Sequence, residues 1–116
     1  MRNIEQWAAD SSLYFRLRES VQEMVRGKGS WGERCAYAFQ RLAPIREADF
    51  PEHLQSGLSV IKALHQGSLI LLDDVVLLRP STLTPKQRAL MSDVLFTLYE
   101  EMTKARAMLE GVSRSG

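Results

Sequence analysis

The side chains of this chain best suited to proton transfer, nucleophilic attack or metal ligation are two histidines, His53 and His65, and a single cysteine, Cys35. Arg46 precedes His53 with six residues between them. An arginine can hold a phosphate and a histidine can move a proton at a ribose or leaving oxygen, so Arg46 and His53 are the candidate catalytic pair. His65 falls inside an apolar stripe. It is expected to pack in the core or at an interface, where burial would make stability or assembly sensitive to pH. Cys35 lies on an apolar helical face with no histidine near it in sequence, the setting of a buried, inert thiol. Asp73-Asp74 and Glu100-Glu101 are adjacent pairs. On a helix, neighbours point about 100° apart and do not converge on one cation, so no metal or cofactor site is expected. Gly27-Lys28-Gly29-Ser30 has the residue types of a phosphate loop but lacks both the spacing and the preceding strand. A turn between helices accounts for it, with weak anion binding at the next helix start as its only chemistry.

The Arg46–His53 spacing resembles the arginine–histidine motif of the HEPN family of small helical ribonucleases. The resemblance implies His53 as proton carrier and Arg46 as phosphate ligand. Glu47 stands where that family carries a polar residue after the arginine, and Pro51 interrupts the spacer. His53 followed four residues later by Gly57 also resembles the histidine phosphotransfer domains, which are four-helix bundles. Ser56 stands where those domains carry a lysine, and Pro51 sets His53 at a helix start rather than mid-helix. Each resemblance covers two residues of the chain.

A second group of residues suits binding rather than catalysis. Trp7, Tyr14, Phe15, Trp31, Tyr37 and Phe39 make the first part of the chain aromatic-rich, with Arg16, Arg18, Arg34 and Arg41 interleaved. Most of these rings belong in a core, and any left exposed beside arginine would form a protein-binding hot spot. Trp7, Tyr14, Phe15, Trp31 and His65 are therefore the candidate interaction residues. A contiguous stripe of Arg16, Arg26, Lys28, Arg34 and Arg41 would instead suit nucleic acid. The formal net charge is only +1, and the first fifty residues carry eight basic against seven acidic side chains. Binding by bulk neutralisation of phosphates is not expected from that balance.

Four helical segments position these residues. The first spans 4–26, with a seam of Ile4, Trp7, Tyr14, Leu17, Val21 and Met24, and Ser11-Ser12 could break it in two. Gly27 suits a left-handed C-cap. Ser30 and Glu33 then form a capping box for a second helix over 31–42, which Pro44 ends. A third helix is predicted over 50–78. Asp49 is its N-cap, Pro51 lies in the first turn, and Pro80 is the stop. Its apolar residues from Leu54 to Leu78 occupy about half of a helical wheel, with Ile70 and Leu77 outside it. Gly57 and Gly67 weaken it, so it could break near Gly67-Ser68. The rival reading pairs Leu69–Leu72 with Val75–Leu78 as a hairpin, but Asp-Asp is a poor two-residue turn and neither run alternates apolar with polar. Thr84-Pro85-Lys86-Gln87 starts the last helix, 85–110, with Gly111 as its C-cap. Met91, Leu95, Leu98, Met102, Ala105, Leu109 and Val112 give that helix a heptad seam.

The sequence thus predicts an all-α, antiparallel four-helix bundle, or five helices if one breaks, in a single domain of 116 residues. A lone cysteine, the lack of an apolar leader and the absence of a membrane-length run lead to the expectation of a cytoplasmic protein. With no catalytic constellation standing out and more apolar seam than a short bundle needs, the expected function is a non-enzymatic regulator or inhibitor. It would act by binding another protein, with a homodimer favoured. The alternatives are a HEPN-like ribonuclease or toxin and a nucleic-acid-binding regulator.

Overall fold

A computed structural model describes residues 2–65, 69–72, 75–78 and 83–115, with side chains considered for 2–65 and 83–111. Five α-helices account for most of it: α1 (Ile4–Ala9), α2 (Ser11–Arg26), α3 (Trp31–Leu42), α4 (Glu52–Leu64) and α5 (Pro85–Ser115). A single 3-10 turn, Glu47–Asp49, precedes α4. Two short strands, β1 (Leu69–Leu72) and β2 (Val75–Leu78), pair antiparallel between α4 and α5. The class is all-α, with this hairpin as an addition to it.

Local capping fixes most helix starts. Asn3 and Gln6 form a reciprocal box at α1, and Ser30 and Glu33 form one at α3, the latter as expected. Thr84 accepts from the Gln87 backbone N–H while the Gln87 side chain accepts from Thr84 N–H, so α5 begins at Pro85 as its sequence predicts. The first helical segment is divided, as the Ser11-Ser12 pair suggested, and Asp10 provides the new N-cap through its bond to Leu13 N–H at 3.0 Å. Arg2 holds Asp10 at 2.6 Å and reaches Asp49 at 3.7 Å, tying the α1–α2 corner to the 3-10 turn.

Four expectations need correction. The helix predicted over 50–78 ends at Leu64, and its last third is the hairpin, with Leu69 opposite Leu78 and Leu72 opposite Val75. In a run that is almost wholly apolar, a half-wheel test fits a strand as readily as a helix. Two residues stand between the paired Leu72 and Val75, the commonest length of hairpin connection. The expectations for Gly67-Ser68, Asp73-Asp74 and Pro80 lie outside the described residues. At its start, α4 has Pro51 at the cap position, and Asp49 belongs to the 3-10 turn. Gly27 has φ −60° rather than a left-handed angle, and the positive φ, 97°, falls on Gly29. Gly27 is needed for space: a Cβ there would collide with the Glu23 carbonyl and sit 3.2 Å from Cγ of Arg34. Gly111 does not end α5, which continues to Ser115. Gly111 is exposed, and an exposed helical position tolerates the roughly 1 kcal/mol that glycine costs relative to alanine.

The core joins all five helices. Trp7, Leu13, Leu17, Met24, Cys35, Phe39, Leu42, Phe50, Leu58, Ile61, Met91, Leu95 and Met102 are buried in one cluster. Leu13, Leu17, Ser20 and Met24 form the inner face of α2, where Ser20 Oγ donates to the Ala38 carbonyl at 2.7 Å across the α2–α3 contact. Trp7 meets Phe50 at 5.5 Å between ring centroids, which locks α1 to the connector before α4. Lys62 donates to the Ile45 carbonyl and pairs with Glu47 at 3.6 Å, fastening the same connector to α4. Gly57 brings α4 close to α5, since a Cβ at this position would lie 3.2 Å from Leu98 and 3.3 Å from Val94. Arg106 donates to the Ala8 carbonyl at 2.8 Å, satisfying the end of α1, and lies 4.5 Å over the Tyr14 ring. At about 1.5 Å per residue, the 31 residues of α5 run nearly the full 49 Å of the molecule.

Candidate functional site

Where α3 begins, it meets the beginning of α5. Trp31, the first residue of α3, remains 51% exposed and lines a cleft of about 240 Å³ with Pro85, Arg88, Ala89 and Ser92. The indole is held in place. Ser30 accepts from Glu33 N–H at 3.2 Å and fixes the start of α3, and the Arg34 guanidinium lies 5.1 Å over the Trp31 ring. The stem of Arg34 rests where Gly27 leaves room for it. Its Nε is buried without a hydrogen-bond partner. Elsewhere in the described residues, Arg2, Arg41, Arg46, Lys62 and Lys104 each have a carboxylate partner. Neither Arg88, which lines the cleft, nor Arg34, which stacks on Trp31 beside it, has one, as is also true of Arg16, Arg18, Arg26, Lys28, Lys86 and Arg106.

His53 lies elsewhere. It lines a cleft of about 260 Å³ between α4 and α5 with Ser56, Asp93 and Thr97 over an apolar floor that includes Gly57 and Leu98. The lining holds an acid–base pair of residue types but no arginine or lysine. Arg46 does not share it: its largely exposed side chain pairs with Asp49 at 3.4 Å within the 3-10 turn. The structure therefore does not bring Arg46 and His53 into one cleft of this chain.

Of the other interaction candidates, Phe15 is exposed and Tyr14 is half-buried, stacked against Tyr99 with ring centroids 6.0 Å apart. Trp7 and His65 are interior residues and present no docking surface, because α1 turns its indole inward onto Phe50 and His65 lies under the α3–α5 contact. His65 is 1% exposed, stacks on Phe39 at 4.7 Å, and places Nε2 2.9 Å from the Met91 sulfur. Its Nδ1 has no partner, and burial pushes its pKa down to about 4. Burial likewise pushes the Cys35 thiol up, which Arg88 partly offsets, so the buried sulfur is protonated and unreactive.

The five-cation stripe considered for nucleic acid is interrupted. Arg41 pairs with Glu19 and Glu23, both at 3.6 Å. Arg26 and Lys28 share a mixed-charge groove with Glu23, Glu33 and Arg41. No described helix is long and apolar enough to cross a membrane. No three His, Cys, Asp or Glu among the described residues gather at a metal-sized site.

The α5 side of the Trp31 cleft was not visible from the sequence. Arg88 continues the heptad register one step before Met91, and nothing local to it points to Trp31. Only the packing of α3 on α5 joins them. No family model, curated protein or solved structure matches the chain.

Proposed function

We propose that the chain is a non-enzymatic, cytoplasmic protein-binding module that regulates or inhibits its partner by docking it at the Trp31 cleft. The observation that supports this most is a half-exposed indole fixed at a capped helix start and clamped by a guanidinium. Exposed tryptophan and arginine on a rigid frame are the residue types that dominate binding energy at protein interfaces. Preorganisation also limits the entropy lost on association. A second apolar surface, formed by Ile4, Ala105, Met108 and Leu109 where α1 meets α5, supports self-association as a homodimer. Affinity capture from the native host with mass-spectrometric identification tests the reading. A stoichiometric protein partner recovered by the native chain and lost with Trp31→Ala is the expected result.

A second reading, a ribonuclease using His53, is favoured by the shared cleft of His53, Ser56 and Asp93. It lacks a cation in that cleft to hold a phosphate. RNA cleavage abolished by His53→Ala would establish it in place of the first.

A further inference from the structure

We propose that the partner docks an acidic peptide segment at the Trp31 cleft, with its carboxylates on Arg34 and Arg88 and an adjacent apolar side chain on the indole. The inference rests on the protein-binding reading and specifies the chemistry of what binds.

Charge complementarity carries it. Arg34 stacks on Trp31 and Arg88 lines the cleft, both half-buried and neither with a carboxylate partner among the described residues. The segments that meet here, 31–34 and 85–88, carry Arg34, Lys86 and Arg88 against Glu33 alone. Glu33 is itself engaged at the Ser30 cap, at 3.3 Å from its hydroxyl and 3.5 Å from its N–H. The start of α3 adds the partial positive charge of a helix N-terminus to the same cleft. Two guanidiniums with open forks match carboxylates in a planar, bidentate geometry that lysine would not provide. One arginine is already stacked on the indole, so its donors are oriented before any ligand arrives. The exposed ring face and Ala89 supply the apolar floor on which a neighbouring side chain can sit.

A nucleic acid fits less well. A phosphate backbone needs a run of cations along its path. The neighbouring groove, at Arg26, Lys28 and Arg41, is broken by Glu23 and Glu33. A short acidic peptide needs only the cleft itself.

The test is selection of a displayed random-peptide library against the full chain, with counter-selection against the Arg34→Gln/Arg88→Gln double variant. Circular dichroism establishes that this variant keeps its helices. The proposal expects enriched sequences to share Asp or Glu next to an apolar residue. Their binding should fall about tenfold or more in either single variant, and again when salt is raised from about 0.15 M to about 1 M. Enrichment without acidic residues, binding that survives both substitutions, or no enrichment overturns it. So does a single-stranded oligonucleotide or a phosphopeptide that displaces the selected peptide at lower concentration than the peptide itself. These failures are distinct from failure of the protein-binding reading. A native partner whose capture depends on Trp31 but which docks without acidic residues would overturn the acidic-segment assignment alone, while absence of any Trp31-dependent partner would overturn both.

Discussion

The surroundings of His65 hold its ring in the neutral state near neutral pH. Its ring is enclosed by Phe39 and Met91, its Nδ1 has no partner, and its folded-state pKa is about 4 against an ordinary value of 6.5. The unfolded chain therefore takes up this proton more readily than the folded one. The stability associated with the neutral ring is complete above about pH 6.5 and declines as the pH falls towards 4, by up to about 3 kcal/mol. Denaturant unfolding of the native chain at about pH 7 and pH 4.5 should show that loss. His65→Leu should show much less of it, and an equal loss in both would contradict the assignment. Asp10, held low by its bond to Arg2, contributes stability that is present at neutral pH and is lost only at still lower pH, as its carboxylate is protonated. Trp31→Ala should behave in the opposite way to a core change, shifting stability by no more than about 0.5 kcal/mol while removing the docking ring. At this scale the sequence was informative wherever the chemistry was local. Ser30 with Glu33, and Thr84 with Gln87, could be read directly, because a cap involves residues three apart. The burial of Trp7 and the exposure of Trp31 could not, since both are tryptophans at helix starts and only the packing around them differs.

Between α4 and α5 the limiting contact is at Gly57. A β-branched side chain there must displace Leu98 and Val94, so Gly57→Val should destabilise by about 1–3 kcal/mol, measured by denaturant titration. Wild-type stability in that variant would mean that the two helices do not approach as closely as described. Asp10→Ala removes the α2 cap and the Arg2 pair together, and should cost about 0.5–2 kcal/mol. The helix boundaries that differ from the sequence expectation fall where side-chain pattern is weak. From Leu69 to Leu78 almost every residue is apolar, so neither a 3.6-residue nor a two-residue period is imposed. Pairing of Leu72 with Val75 then decides the outcome. Gly111 differs for the opposite reason, since a lone glycine marks a helix end only where the chain must turn, and here α5 continues to Ser115.

Across the whole molecule, charge and apolar surface are divided between the two ends of α5. At its start, Arg34 and Arg88 flank Trp31 without carboxylate partners. Towards its far end, the heptad seam that is fully buried from Met91 to Met102 becomes half-buried at Ala105 and Leu109, and Met108 beside it is 72% exposed. The proposed homodimer uses that second end. Sedimentation equilibrium should show a dimer for the native chain and a shift towards monomer for Met108→Glu, whereas a native chain that remains monomeric at high concentration would rule out this surface as the interface. The sequence revealed the seam, because a heptad repeat is a local pattern. It could not reveal which chain covers the seam, nor that Trp31 and Arg88, far apart in sequence, would share a cleft. The most direct test of the central claim is parallel affinity capture from the native host with the native chain, Trp31→Ala and Phe15→Ala. The expected result is a stoichiometric protein partner retained by the native chain and Phe15→Ala and lost by Trp31→Ala. No partner, or one retained equally by all three, would contradict it.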